Sequence, residues 1–277
     1  MSESIYFFYR NKLVYIVPIN RIYRDFTMSS SSLNASRALD VLIVLGEAGP
    51  EGLSLARITQ QIGGAKSAIH RSLSSLLLKG FVETTSRYGC YRLGPTIAML
   101  ARTQVDLEKQ IQQFRPGMTE FARLTGFTVY LMVQAGVDAL CAELVSRSVG
   151  RQLHMGVGAR VPMGVAAGSL ALLSMLSEET ALGIIEANAT RYTNTPALHH
   201  VDKDVIIAKR HLAIKRGYAI NMGYYLPGAG GLGLPIFAKD HHNINVAISF
   251  NAPLEMMTDT WMDKTIDMLR RCLGDCC

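Results

Sequence analysis

Residues 54–80 read SLARITQQIGGAKSAIHRSLSSLLLKG, and residues 81–94 read FVETTSRYGCYRLG. Two short helical patterns meet at Gly63-Gly64, and a segment rich in Arg and Tyr follows. Ser54 suits the N-cap of a helix that carries Leu55, Ile58 and Ile62 on one side. Gly63 and Gly64 end it, because glycine enters left-handed backbone conformations cheaply. A second helix starts near Lys66. Ile69, Leu73, Leu76 and Leu77 fall on one face of it, so they form a buried stripe. Ser67, His70, Arg71 and Ser74 project from the other face, with Lys66 at the helix N-terminus. Such a helix can enter a major groove, its short polar and basic side chains reaching base edges and phosphates. Its first N–H groups offer a further phosphate site. Gly80 stops the helix. Phe81, Val82, Thr84 and Thr85 favour strand, Gly89 marks a turn, and Tyr91–Leu93 form the return strand. Arg87 and Arg92 could touch the backbone or minor groove from this wing. The pattern predicts a winged helix-turn-helix and duplex DNA as partner. The bland alternative is a small helical domain with a merely solvated polar face.

Charge placement supports DNA. The chain of 277 residues has a net charge of +6. Residues 1–115 hold 14 Lys/Arg against 8 Asp/Glu, while residues 116–277 hold 14 of each. A basic front and a neutral rear suit one domain that meets a polyanion and one that does not. The length fits two domains. Five irregularly spaced cysteines fit a reducing cytoplasm rather than a disulfide framework, and Cys272-x3-Cys276-Cys277 is a poor zinc spacing. No apolar run is long enough to span a membrane.

The stretch resembles the IclR family of bacterial transcription regulators. The residues that carry the resemblance are Ser36-Arg37-Ala38-Leu39-Asp40, Lys66-Ser67, His70-Arg71, Phe81-Val82-Glu83 and Tyr91-Arg92-Leu93-Gly94. The resemblance covers nearly all of residues 36–274 and implies a homodimer or dimer of dimers on operator DNA, acting as repressor or activator. Residues 1–35 are expected to be disordered or a mis-called extension, with Met28 as the native start and SSSSLN as a flexible run. An arm for DNA or a partner is the alternative.

Residues 36–94 are then the DNA-binding domain, 95–115 a connector and dimerisation helix, and 116–277 an effector-binding domain. Pro95 suits a first helical turn, and Pro116 is expected past the connector's end. Periodicity alone allows that helix to pack only on its own chain. From Pro116, helices and strands alternate without regular βαβ spacing. The fold class expected is α+β with a mainly antiparallel sheet. The order is similar to the GAF-like effector domain of IclR regulators. Arg115-Pro116, Thr125-Gly126, Arg160-Val161-Pro162 and Arg216-Gly217-Tyr218-Ala219 stand at signature positions.

The resemblance implies a pocket for a small organic or aromatic acid, formed by Leu153, Met155, Ala167, Gly168, Asn221, Ala229, Gly231, Ser249 and Asn251. The chemistry fits. Small residues free space, Ser and Asn donate hydrogen bonds, and Leu and Met form walls. Gly223-Tyr224 replaces an acidic pair common in the family, Gly231 a cysteine, and PMGVAAGSLALL (162–173) a more polar run. A less polar, more open pocket is expected, suited to bulkier or aromatic acids.

Three features are expected to be decoys. Gly228, Gly230 and Gly233 satisfy G-x-G-x-x-G, but Pro235 in a strand-like run follows instead of a helix. His199-His200 and His241-His242 lie in polar loop-like stretches. Ser169 lacks a nucleophile elbow. No metal, cofactor or catalytic residue is expected. The function expected is cytoplasmic, ligand-responsive regulation of a catabolic operon. The alternative is a small-molecule-binding protein or enzyme whose front domain only recruits partners.

Overall fold

The computed structural model describes residues 6–9, 12–15, 30–102, 105–146, 155–194, 201–223, 228–237 and 244–274. At the front, β1 (Tyr6–Tyr9) pairs antiparallel with β2 (Lys12–Tyr15). Helix α1 spans Ser30–Glu47. Residues 30–35 are therefore helical, against the expectation of disorder up to Ser36. Serine is an acceptable helix former next to the Leu39–Leu45 segment, so the run continues the helix rather than preceding it. Leu153, residues 1–5 and 16–29, and both histidine pairs lie outside the described residues.

A winged unit follows. It comprises β3 (Leu53–Ser54), α2 (Leu55–Ile62), α3 (Lys66–Leu78), β4 (Val82–Thr84) and β5 (Cys90–Leu93). The Ser54 side chain caps α2 by accepting from the Arg57 N–H. Val41 and Leu45 of α1 meet Ile58, Ile69, Leu73, Leu76 and Val82 in one small core. The three strands form an antiparallel sheet in the order β3-β5-β4.

Two helices come next, α4 (Pro95–Ala101) and α5 (Val105–Thr125). Pro116 lies inside α5 rather than past the end of the connector. A proline in a helix interior loses one backbone hydrogen bond and costs about 3 kcal/mol. Burial of Phe114, Met118, Phe121 and Ala122 on both sides of it offsets that cost. Gly117 lets α5 approach the last helix, because a Cβ there would lie 2.5 Å from the Cys272 carbonyl oxygen.

The rear unit is built on a six-stranded antiparallel sheet, as the α+β expectation required. Its strands are β6 (Val129–Ala135), β7 (Asp138–Val145), β8 (Arg160–Pro162), β9 (Ala219–Met222), β10 (Ala229–Ile236) and β11 (Val246–Pro253). Their spatial order is β8-β7-β6-β11-β10-β9. Its helices are α6 (Ala167–Ser174), α7 (Glu178–Asn194), α8 (Lys203–Arg216) and α9 (Asp259–Leu273). Side chains alternate across the sheet. Val129, Leu131, Val246, Ile248 and Phe250 join the core beneath α5 and α9. Tyr130, Met132 and Ala247 join the core around α6, α7 and α8.

Helix α6 touches the sheet almost backbone to backbone. A Cβ on Gly233 would lie 2.3 Å from the Ala167 carbonyl oxygen, and one on Gly168 would lie 2.6 Å from Ser249 Oγ. This explains the G-x-G-x-x-G decoy. Gly230 and Gly233 lie on strand β10 and admit the Met257 side chain and helix α6, while Gly228 precedes the strand with a positive φ. Pro235 pairs with Ala247 of β11 beyond the register where β9 stops, so its missing N–H is tolerated. Replacing Gly233 with Val should push α6 off the sheet and destabilise the chain by about 3 kcal/mol, the upper range for overpacking. A urea titration checks this; a midpoint equal to the wild type would show that the close approach matters little.

Candidate DNA-reading face and effector pocket

The surface of α3 divides as its sequence predicts. Ile69, Leu73 and Leu76 are buried, joined by Ser72, whereas Leu77 is only partly covered. Lys66, Ser67, His70, Arg71 and Ser74 are all exposed and share the outward face. The N-cap position is Ala65, so no side chain caps the first turn. The Ala68 and Ile69 N–H groups donate to the Ala65 carbonyl at 2.9 and 3.2 Å, which leaves those of Lys66 and Ser67 at the helix start. The Ser74 hydroxyl donates to the His70 carbonyl at 2.9 Å, leaving its oxygen lone pairs outward as acceptors.

The wing contributes unequally. Arg87 and Tyr88 stand at the exposed tip between β4 and β5, Tyr88 without any cover. Arg92 is also exposed but is not unengaged: Nε donates to Glu83 Oε1 at 2.7 Å, directly across the β4–β5 ladder. An exposed pair of this kind contributes about 0.2–1 kcal/mol. Arg92 must therefore loosen its hold on Glu83 to meet a phosphate, whereas Arg87 need not. The wing is locked to the end of α3, where Gly94 N–H donates to the Phe81 carbonyl at 2.8 Å. Thr96 Oγ1 at the start of α4 donates to the Lys79 carbonyl at 3.1 Å.

In the rear unit, sheet register brings the predicted pocket residues together. Asn221, Gly231 and Asn251 lie in one row across β9, β10 and β11. Gly233, Ser249 and Tyr130 lie in the next. The N-terminus of α6 descends on these rows. A cavity results, with Met155, Ala167, Gly168, Ser249 and Asn251 among its walls. Gly231 adjoins it: a Cβ there would lie 2.9 Å from Asn251 Oδ1 and 3.1 Å from the Ala167 methyl. Ala229 is on the same strand but not in the wall. Asn221 is not in the wall either. Its side-chain amide donates to the Val165 carbonyl and holds the segment that leads into α6.

The walls also include Tyr130, Met132, Ala166 and Ser169, which sequence reasoning did not assign to the pocket. Alternation along β6, with Tyr130 opposite Ser249, was the signal that could have found the first two. Ser169 is committed to the helix end, where its hydroxyl accepts from the Ala166 N–H at 2.9 Å and lies 3.0 Å from the Ala166 carbonyl. The cavity volume is only about 20 Å³, near that of one water. Among the described residues the cavity is narrower than the more open pocket expected. Glycines at 168, 231 and 233 do free space, but the approach of α6 takes it up. The chemistry available is neutral hydrogen bonding from Ser249 and Asn251, plus the positive end of α6.

The described residues contain no cluster of His, Cys, Asp or Glu able to hold a metal. No helix among them is long and apolar enough to cross a membrane. Burial pushes the Cys141 thiol up to about 12, so it is a packing residue and not a nucleophile.

Residues 35–86 match the IclR helix-turn-helix domain, and residues 103–277 match the bacterial transcriptional regulator IclR C-terminal domain. The chain is 23% identical over 238 residues to the HTH-type transcriptional regulator XynR of Escherichia coli, covering 86% of this chain and 93% of that one. It is 24% identical over 215 residues to the transcriptional repressor IclR of the same organism, covering 75% of each. Among solved structures, an IclR homologue from Microbacterium hydrocarbonoxydans complexed with 4-hydroxybenzoate superposes with a TM-score of 0.61 at 19% identity. The match covers 85% of this chain and 98% of that one. A putative regulator from Silicibacter gives 0.65 at 23% identity, covering 86% and 92%. These relatives are named as regulators or repressors rather than enzymes. With both family domains matched in order along the folded chain, this protein belongs to the IclR family of DNA-binding transcriptional regulators with a C-terminal effector domain.

Proposed function

We propose that the chain is a homodimer or dimer of dimers that controls a catabolic operon in response to a compact carboxylate. Residues 36–94 would read operator DNA, residues 95–115 would connect and pair subunits, and residues 116–277 would sense the effector. Lys66, Ser67, His70, Arg71 and Ser74 are the major-groove and phosphate set, Arg87 the wing contact, and Arg92 an assistant released from Glu83. The exposure of all five α3 residues on one face supports this assignment.

The effector reading rests on the convergence of the α6 N-terminus with Ser249 and Asn251 on one cavity. Helix N–H groups, a hydroxyl and an amide together suit a carboxylate. Met155, Ala167 and Gly168 shape its apolar side, and Gly231 keeps that side free of a side chain. At about 20 Å³ the cavity must widen for any acid, and a compact one such as pyruvate asks for less widening than an aromatic one. The solved relative carrying 4-hydroxybenzoate gives the competing aromatic reading its support. Binding would bias two arrangements of the dimer that differ in affinity for DNA.

Arg71→Ala should weaken operator binding by about 1–3 kcal/mol while leaving subunit assembly intact. A mobility-shift titration with DNA upstream of the protein's own gene, run across a salt series, measures this. Unchanged affinity at fixed salt would remove Arg71 from the contact set, and a flat salt response would remove the DNA-reading face. Pyruvate should raise the melting temperature of the wild type but not of Asn251→Ala, whereas 4-hydroxybenzoate should leave both unchanged. Stabilisation by 4-hydroxybenzoate alone would replace the compact-acid reading with the aromatic one.

A further inference from the structure

The turn that joins β4 to β5 is tied together from within. Thr85 N–H donates to the Cys90 carbonyl at 3.0 Å, and Cys90 N–H donates to the Arg87 carbonyl at 3.1 Å. The Thr85 hydroxyl accepts from the Arg87 N–H and donates to the Arg87 carbonyl, each at 3.2 Å. Tyr88 and Gly89 are the central pair of the Arg87–Cys90 turn, and Gly89 has a φ of 72°, which a side chain would strain. Cys90 is buried and pairs with Ser54 of β3, so the turn is fixed to the sheet at its root.

This turn holds an aromatic ring clear of the protein. Tyr88 is fully exposed, whereas Tyr91 on the same wing packs against the core of the winged unit. A lone exposed aromatic is ordinary on a protein surface. Here the backbone beneath it is already ordered, although the ring contributes no packing to the fold. A partner that takes the ring therefore has little chain ordering left to oppose it.

Charge and position select the partner. Residues 84–91 contain Arg87 and no Asp or Glu. The acid on the neighbouring strand, Glu83, is held by Arg92. The wing leaves the end of α3 through Gly80, where Phe81 N–H donates to the Leu76 carbonyl at 3.0 Å. It is thus attached to the helix that offers its polar face to a major groove. A cation beside a ring suits the adjoining minor groove. The negative potential there attracts Arg, and the deoxyriboses that wall the groove present apolar faces to a ring.

We propose that Tyr88 is a DNA-contact residue whose ring lies against deoxyribose in the minor groove beside the site read by α3. The contact rests on the assignment of α3 to the major groove. It gives the wing an apolar part, insensitive to salt, next to the ionic part supplied by Arg87.

Hydroxyl-radical footprinting on duplex DNA from upstream of the protein's own gene tests this, because the radical cuts at deoxyribose exposed in the minor groove. Tyr88→Ala should lose protection of the minor-groove sugars flanking the site and keep the rest of the wild-type footprint. It should weaken binding roughly tenfold in a mobility-shift titration, with the salt slope of the wild type. Tyr88→Phe should keep both the footprint and the affinity. Arg87→Ala should instead lower the salt slope by about 1. Wild-type affinity and footprint in Tyr88→Ala would overturn the proposal and leave the α3 assignment standing. Absence of DNA binding by the wild type would overturn both. Equal weakening in Tyr88→Phe would place the hydroxyl on a phosphate and overturn the sugar contact. Loss of subunit assembly in Tyr88→Ala, measured by sedimentation without DNA, would assign the ring to a second copy of the chain and overturn it as well.

Discussion

The near contact between α6 and strands β10 and β11 governs the rear half of the molecule. Where Gly233 meets the Ala167 carbonyl, no side chain fits between helix and sheet. All residues from Ala167 to Leu173 are buried in consequence. Helix α6 is nearly uniform in hydrophobicity, as a helix enclosed on every side must be. Its closeness to the sheet directs its N-terminus at Ser249 and Asn251. It also reduces the space between them to the size of a water. Affinity and selectivity for a ligand there are consequences of packing before they are consequences of any one polar group.

The winged unit was largely legible in the sequence because its signals are local. Ser54 caps α2, Gly63 ends it, and the α3 stripe is set by spacing alone. Features set by long-range packing were less legible. Pro116 reads as a helix stop under local rules, yet α5 continues through it because Phe114, Met118 and Phe121 are buried together. Glycines at 168 and 231 read as open space, but only the folded chain shows that α6 occupies it. Asn221 reads as a ligand contact, and its use on the Val165 carbonyl depends on a partner 56 residues away in sequence. Arg92 is intermediate: its partner Glu83 follows from the β4–β5 register once the hairpin is accepted.

The two halves also differ in how they hold charge. On α3 the cations are exposed and face outward together. In the rear unit several cations are committed to folding. Arg210 is buried, donates to the Leu173 and Leu176 carbonyls at the end of α6 and pairs with Glu178, while Arg115 pairs with Glu143. A neutral balance there does not mean an absence of electrostatics. It means that opposite charges balance in number there, some of them paired within the fold.

Helix α5 has a mechanical consequence. Leu107, Gln110, Phe114, Met118 and Phe121 along it are buried or packed against the core shared with α9 and the sheet, and Val105–Phe114 spans about 14 Å at 1.5 Å per residue. A tilt of about 5° at Phe114 carries the start of the helix about 1 Å, the scale of helix displacement at which regulatory proteins change state. The proline and glycine at 116–117 sit at the fulcrum of that lever.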